Sequence, residues 1–367
     1  MRRAASIKVL VVDDSALIRQ MLTRALGVDP RLEIVGTAKT GVEAIALADQ
    51  FKPDVITLDI EMPELSGIEA LPYIADKCDA RVVMLSSLDD SDTTYQALSA
   101  GAVDFVCKPK AGMASSMTEL SELLFKKIRT AYRIDPSRVR EIASGLENRT
   151  ADRRSHFDRA DCCGNDLQSN GPPSYLVGIA SSTGGPPALE RVFAGLEDSL
   201  PAAYLVVQHL PTGFSASLAR RISKAGCVEA VEARDGMPVL SGKAYIAPYG
   251  AHMRVKSAAT GPRIHFDDGP PLHGVRPAAD PLLASIASEY GKKTVGVILS
   301  GMGKDGAIGL TAVKAAGGAT IAQDEQTSVV WGMPGTAVRA GVAEHVVPVD
   351  SVAFQIRRAL RRADSNE

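Results

Sequence analysis

The chain has 367 residues, of which 45% are hydrophobic and 23% charged, with a formal net charge of −2. That length suits about two domains of ordinary size, each able to bury its own core. The near-neutral balance excludes the basic excess expected of a nucleic-acid binder, no apolar run reaches membrane-spanning length, and Met1-Arg2-Arg3 leads straight into a strand pattern instead of a signal-peptide core.

From Ile7 to about Arg133, apolar runs alternate with amphipathic stretches five times, the spacing of a parallel sheet flanked by helices. Strands are predicted at Lys8 to Val12, Leu32 to Ala38, Val55 to Leu58, Arg81 to Leu85 and Asp104 to Cys107, with helices between them and a last helix from about Ser116 to Tyr132. In open parallel sheets ligand groups gather at the carboxyl ends of strands. Here those ends carry Asp13 and Asp14, Asp59, Ser86 and Lys108. Three converging carboxylates repel one another unless a hard cation such as Mg²⁺ neutralises them. One carboxylate could then accept a phosphoryl group, the lysine pairing with the phosphate and the serine hydroxyl bonding its oxygens. A solvated loop rim explains any one of these residues, but not all five together at strand ends in register.

From about Ile134 to Pro173 the periodicity fades into charged and Gly-, Ser-, Asn- and Pro-rich sequence, which reads as a tether with a short helix in Ser137 to Leu146. The five cysteines, including the adjacent Cys162 and Cys163, lack metal-ligand spacing and suit a reducing cytoplasm.

Alternation then resumes. Strands are predicted at Tyr175 to Ala180, Ala203 to Gln208, Ala244 to Ala247, Val295 to Leu299, Ala319 to Ala322 and His345 to Val347. Helical stretches include Ala216 to Ala225, Pro281 to Tyr290 and Ile308 to Ala316, and Ala251 to Phe266 reads as an antiparallel hairpin around Gly261-Pro262. The first of these strands stops at Ser181-Ser182-Thr183-Gly184-Gly185, just before a helix that opens on prolines. A hydroxyl there can be presented on a tight turn beside free helix-start N–H groups, which would serve an oxyanion or cradle a phosphate. His209 and Asp305 stand at two further strand ends. Alone, the histidine reads as a satisfied strand-end residue and the aspartate as a helix cap. Together with Ser182 they supply nucleophile, base and base-orienting acid.

Val11-Val12-Asp13-Asp14-Ser15, Leu58-Asp59-Ile60-Glu61-Met62-Pro63, Leu85-Ser86-Ser87 and Phe105-Val106-Cys107-Lys108-Pro109 resemble the response-regulator receiver family. The resemblance implies Asp59 as phosphoacceptor, Asp14 with Asp13 as Mg²⁺ carboxylates, a carbonyl ligand at Glu61, Lys108 and Ser86 on the phosphate, and Phe105 as the aromatic that repacks with Ser86. Ser182-Thr183-Gly184-Gly185, Gln208-His209-Leu210-Pro211, Arg276-Pro277 and Ser300-Gly301-Met302-Gly303-Lys304-Asp305-Gly306 closely resemble the chemotaxis protein-glutamate methylesterases. That resemblance implies Ser182 as nucleophile, His209 as base and Asp305 as its orienting carboxylate, with oxyanion support from Met302 and Thr183 and no cofactor at this site. It further implies demethylation, and deamidation, of cytoplasmic chemoreceptor helices, with a histidine kinase as phosphodonor. From composition and charge the expectation is a cytoplasmic protein that neither binds nucleic acid nor inserts into a membrane, with a monomer as the default state.

The expected organisation is two doubly wound α/β domains: a flavodoxin-like receiver over 1–133, a linker over 134–173, and a parallel-sheet hydrolytic domain with a hairpin over 174–367. The unphosphorylated receiver is expected to cover the strand-end face of the hydrolase. Ser181 is a rival hydroxyl to Ser182, and Ala278 and Ala279 stand where the family often has a serine, which reads as a hydroxyl missing near the substrate entrance; Val275 stands where a histidine often precedes Arg-Pro. A non-catalytic adapter that docks on receptors is the competing reading of the second domain; a DNA-binding output is excluded by the lack of a basic recognition helix.

Overall fold

The computed structural model describes residues 6–87, 91–108, 114–137, 171–196 and 200–364. They form two compact units, divided between residues 148 and 149. The predicted tether, its short helix and Cys162 and Cys163 lie largely or wholly outside the described residues.

In the first unit the order is β1 (Ile7–Val12), α1 (Ala16–Leu26), β2 (Leu32–Ala38), α2 (Gly41–Phe51), β3 (Val55–Asp59), α3 (Gly67–Lys77), β4 (Arg81–Ser86), α4 (Ser91–Ser99), β5 (Asp104–Cys107) and α5 (Ala114–Tyr132). The five strands form one parallel sheet in the order β2-β1-β3-β4-β5. Every residue of β3 is buried, as expected of a strand covered on both faces. Three of the helix starts are fixed locally: the side chains of Ser15, Thr40 and Ser66 accept from the amides of Ile18, Glu43 and Glu69, the last as a capping box. The strand order reverses between β1 and β3, which opens a crevice at their carboxyl ends.

The second unit contains β6 (Tyr175–Ser181), α6 (Gly185–Ala194), β7 (Ala202–Gln208), α7 (Ser215–Ala225), β8 (Glu229–Glu232), β9 (Lys243–Ile246), β10 (His252–Ala258), β11 (Gly261–Asp267), α8 (Ala279–Tyr290), β12 (Thr294–Ile298), α9 (Ala307–Ala315), β13 (Ala319–Gln323), α10 (Met333–Arg339), β14 (His345–Val347) and α11 (Val349–Asp364). Seven parallel strands run in the order β14-β13-β12-β6-β7-β9-β8, beside a separate β10-β11 hairpin. This is the predicted parallel α/β architecture with its hairpin. The switch point lies between β6 and β12, because the chain builds outward from β6 on one side and from β12 on the other.

Two details differ from expectation. The hairpin turns at Ala259 and Thr260, where Ala258 pairs with Gly261, so Gly261-Pro262 begins the second strand. Gly261 takes a positive φ of 107° at that strand's start, a conformation open to glycine, while proline is tolerated in so short a ribbon. The sheet also gains β8, a half-polar edge strand that the sequence pattern does not announce.

Gly178 of β6 and Gly296 of β12 are direct partners across the sheet. A Cβ at Gly178 would lie 2.6 Å from Ile286 and 2.7 Å from Leu283, and one at Gly296 would lie 2.5 Å from Leu310. The missing side chains therefore let α8 and α9 seat closely on the sheet, directly behind the switch point.

Candidate active site and acidic cluster

In the first unit Asp13 and Asp59 are buried, and carboxylate oxygens of Asp13, Asp14 and Asp59 lie within 4.8 Å of one another. Lys108 bridges two of them, its Nζ 2.8 Å from Asp13 and 2.6 Å from Asp59. Burial pushes the Asp59 carboxyl up to about 6; Lys108 pulls against that, while the charges of Asp13 and Asp14 add to it. Burial works against the charge on Lys108, but its bonds to Asp13 and Asp59 prevail and hold its ammonium above the ordinary value. The cluster is thus short of positive charge, and its hard oxygen donors fit a divalent cation such as Mg²⁺.

The Ser86 hydroxyl donates to the Ser87 carbonyl at 2.9 Å and lies 2.6 Å from the Thr94 hydroxyl. Phe105 is buried on β5, with the Lys127 ammonium 5.8 Å from its ring centre. Glu61 is exposed, two residues beyond Asp59. Cys107 is an inert thiol, its ionisation pushed up to about 12 by burial.

In the second unit the backbone joins the expected residues at the switch point. The Ser182 amide donates to the Ser300 carbonyl at 3.0 Å, and the His209 amide to the Ser181 carbonyl at 3.1 Å. A Cβ at Gly301 would lie 3.0 Å from Ser182 Cβ, so the loop that carries Met302 runs against Ser182. Thr183 is buried beside it, and its carbonyl accepts from the Ser300 hydroxyl at 2.8 Å. His209 Nε2 lies 2.8 Å from Asp305 Oδ2. The structure therefore brings His209 and Asp305 into direct contact. It places Ser182 on the neighbouring strand end, with no hydrogen bond from its hydroxyl to another described residue.

Asp305 is almost fully buried and held from several sides. Its Oδ2 accepts the Ala279 amide at 2.7 Å, and its Oδ1 accepts those of Asp280 at 3.2 Å and Gly306 at 3.0 Å. Burial pushes the carboxyl up, but the His209 hydrogen bond and charge, with the Ala279 and Asp280 amides, outweigh it and hold the group below the ordinary carboxylate range. A carboxylate that stays charged at the start of a helix also complements the helix dipole. Ala278 and Ala279 are fully buried at that helix start. The Ala279 amide serves the carboxylate, while the Ala278 amide donates to His252 Nδ1 at 3.0 Å.

Ser181 is buried and its hydroxyl donates to Gln208 Oε1 at 2.7 Å. Gln208 Nε2 in turn donates to the Ser182 carbonyl at 2.9 Å and the His209 carbonyl at 3.3 Å. The rival hydroxyl is thus engaged in fixing the turn, and Gln208 ties the backbone of Ser182 to that of His209. The sequence does not mark that role, since a glutamine at a strand end has no signature of its own. Also unmarked is a second imidazole–carboxylate pair: His273 Nε2 lies 2.8 Å from Asp280 Oδ2.

Fold and site together define a two-domain α/β protein in which a receiver with an acidic cluster precedes a hydrolase-like sheet. Residues 9–115 match the response regulator receiver domain family, and residues 177–356 match the CheB methylesterase family. The chain is 40% identical over 356 residues to a protein-glutamate methylesterase/protein-glutamine glutaminase of Pyrococcus horikoshii, covering 96% of this chain and 94% of that one. It is 43% identical over 360 residues to the protein of the same name from Symbiobacterium thermophilum, covering 96% and 97%. A crystal structure of the Thermotoga maritima CheB methylesterase catalytic domain is 39% identical and covers 51% of this chain and 98% of that one, with a TM-score of 0.49. The chain belongs to the protein-glutamate methylesterase/protein-glutamine glutaminase family.

Proposed function

We propose that this chain is a phosphorylation-controlled hydrolase that demethylates glutamate methyl esters and deamidates glutamines on the cytoplasmic helices of chemoreceptors. The observation that carries this reading is the 2.8 Å His209–Asp305 pair at the switch point of the sheet, with Ser182 at the adjoining strand end. Ser182 is the nucleophile. His209 takes its proton as the hydroxyl attacks the ester or amide carbon and returns it to the departing methanol or ammonia. Asp305 fixes the imidazole and stabilises the imidazolium. With Nε2 turned to Asp305, Nδ1 is the atom left to serve the hydroxyl. Main-chain N–H near Met302, supported by Thr183, stabilises the oxyanion. Ester and amide hydrolysis share this acyl-enzyme route, so one site serves both.

Residues 1–133 form the receiver and 174–367 the catalytic domain, joined by the linker of 134–173. A histidine kinase phosphorylates Asp59. Asp13, Asp14 and Asp59, with the Glu61 carbonyl, would hold Mg²⁺, whose charge offsets the crowding of anions there. Lys108 and Ser86 hold the phosphoryl oxygens, and Phe105 repacks with Ser86. Phosphorylation raises the esterase rate. The protein acts as a cytoplasmic monomer.

The test is methanol release from membranes carrying methyl-labelled receptors, with the intact protein and Ser182→Ala, each with and without a small phosphodonor and Mg²⁺. Release that needs Ser182 and rises with the phosphodonor is expected. Undiminished release from Ser182→Ala would sink the triad reading. Absence of release by the intact protein, with receptor binding retained, would favour a docking adapter.

A further inference from the structure

The starts of α8 and α9 cap one another. Asp305, just ahead of α9, accepts the Ala279 and Asp280 amides that open α8. Asp280, in the first turn of α8, accepts the Gly309 amide that opens α9, Oδ1 to N 2.7 Å. Each carboxylate thus satisfies N–H groups that a helix start leaves without intrahelical partners, but on the opposite helix. Each also meets an imidazole through its Oδ2: His209 at Asp305, where the Ala279 amide shares the oxygen, and His273 at Asp280, both at 2.8 Å. Ligand atoms of His273, Asp280 and Asp305 all lie within 4.8 Å of one another.

His273 reaches this point from a tight turn. Leu272 and Val275 exchange both backbone hydrogen bonds, at 3.1 and 2.9 Å. The two residues between them, His273 and Gly274, have φ of 54° and 78°. Two positive φ values in a two-residue connection favour glycine, asparagine or aspartate, yet the first position here is histidine. Its backbone is exposed, but its side chain turns back and is only 19% exposed against a carboxylate that is 8% exposed. A surface histidine of no consequence would not be folded inward onto a buried acid. Among the neighbouring titratable and charged groups, the Arg276 guanidinium donates to the carbonyls of Asp268 and Gly269, the buried His252 imidazole is engaged by the Ala278 amide and the Pro270 carbonyl, and Lys304 is exposed.

We propose that His273 and Asp280 are positioning residues of the hydrolytic site, a second imidazole–carboxylate pair that holds Asp305, and through it His209, in the reactive orientation. The inference rests on the triad reading given above. Without the His273 donor, Asp280 keeps a single N–H partner and becomes an incompletely compensated negative charge beside Asp305. The Asp280 residue, whose backbone bonds Asp305, is then pinned through one carboxylate oxygen alone.

The experiment is the steady-state rate of methanol release by the full-length protein against pH, for His273→Asn, Asp280→Asn and Ser182→Ala. Asparagine tolerates the left-handed backbone at residue 273 but is too short to replace Nε2, so the turn survives and the contact does not. His273→Asn is expected to lower kcat on the order of tenfold with little change in KM, the size of loss that slight misplacement of a catalytic group produces. Because the Asp280 carboxylate then lacks the imidazole N–H that offsets it, its charge bears more strongly on the site and the acidic limb moves to higher pH. Asp280→Asn keeps an acceptor for Gly309 but removes a charge, so its limb moves to lower pH. Opposite displacements are a signature that simple loss of fold does not give. If both variants keep kcat within about twofold and leave the limb in place while Ser182→Ala abolishes release, the positioning role is overturned and the triad stands. If Ser182→Ala retains release, the triad itself is wrong.

Discussion

Both units put carboxylates at the carboxyl ends of parallel strands, yet they treat them in opposite ways. In the first, Asp13, Asp14 and Asp59 converge with one lysine between them, and burial leaves Asp59 with its ionisation pushed up to about 6. In the second, backbone amides and an imidazole claim Asp305 and hold it below the ordinary range. A carboxylate short of partners is ready to gain something, a cation or a phosphoryl group. One with every lone pair in use is built to stay still while a neighbour moves protons. The difference lies in what surrounds the acid: Asp59 ends β3, whereas Asp305 stands on the loop from β12 into α9, within reach of the amides that open α8.

The sharpest way to break this contrast is Asp305→Asn. The amide's N–H group would face either His209 Nε2 or backbone donors that need an acceptor, so the imidazole loses its tautomer and orientation. A fall of about 10⁴-fold in kcat, the scale known for the equivalent change in a serine-protease triad, is expected in single-turnover methanol release. Next in size is Asp59→Asn: the phosphodonor should no longer accelerate release, while basal activity persists. Stimulation that survived would show that Asp59 is not the acceptor.

Asp59 also predicts how stability depends on pH. Its folded value of about 6 lies above the ordinary 3.8, so between about pH 4 and pH 6 the folded state keeps a proton that the unfolded chain has released. Stability from this group is therefore complete below about pH 4 and falls as pH rises through 6, by roughly 3 kcal/mol in total. Calorimetry of the full chain should show the receiver transition several degrees lower at pH 7 than this group alone would allow at pH 4.5, with Mg²⁺ or Asp59→Asn recovering most of the loss. Indifference of that transition to Mg²⁺ at neutral pH would count against a strained cluster. The smallest effect expected is that of Ser181→Ala. It removes one buried hydrogen bond to Gln208, worth about 1 kcal/mol, and should slow methanol release several-fold through a looser turn, without abolishing it. Complete loss would return Ser181 to contention as nucleophile.

The sheet orders rest on strands that announce themselves. Runs such as Tyr175–Ser181 and Ala202–Gln208 are buried throughout, so their sequences are almost continuously apolar, and the residues just beyond them stand out as polar interruptions. Asp59, Ser182, His209 and Asp305 are legible for that reason. β8 is not, because Glu229 to Glu232 offers only two apolar residues and owes its strand to pairing with β9. His273 and Asp280 escape notice for another reason. They lie seven residues apart across a turn and a helix start, and nothing in their spacing says that the turn folds back. The pair of positive φ values at His273-Gly274 is the only local trace, and it marks a turn without marking its target. Ser181 and Gln208 illustrate the same limit, since their hydrogen bond exists only once β6 and β7 are in register.

The facing glycines Gly178 and Gly296 carry a consequence for how this enzyme can be damaged. They sit inside the sheet, away from the residues that do chemistry, and they set the depth at which α8 and α9 rest on it. Those helices deliver, at their first turns, the amides that grip Asp305 and Asp280. A methyl group added at either glycine would act as a shim under a lever: its carbon would lie 2.5 to 2.7 Å from helix side chains, and the helix that moved aside would arrive at the far end as a misaimed carboxylate. Inheritable loss of activity can therefore arise at positions no map of active-site residues would include, in protein that is still folded and still able to receive its phosphoryl signal.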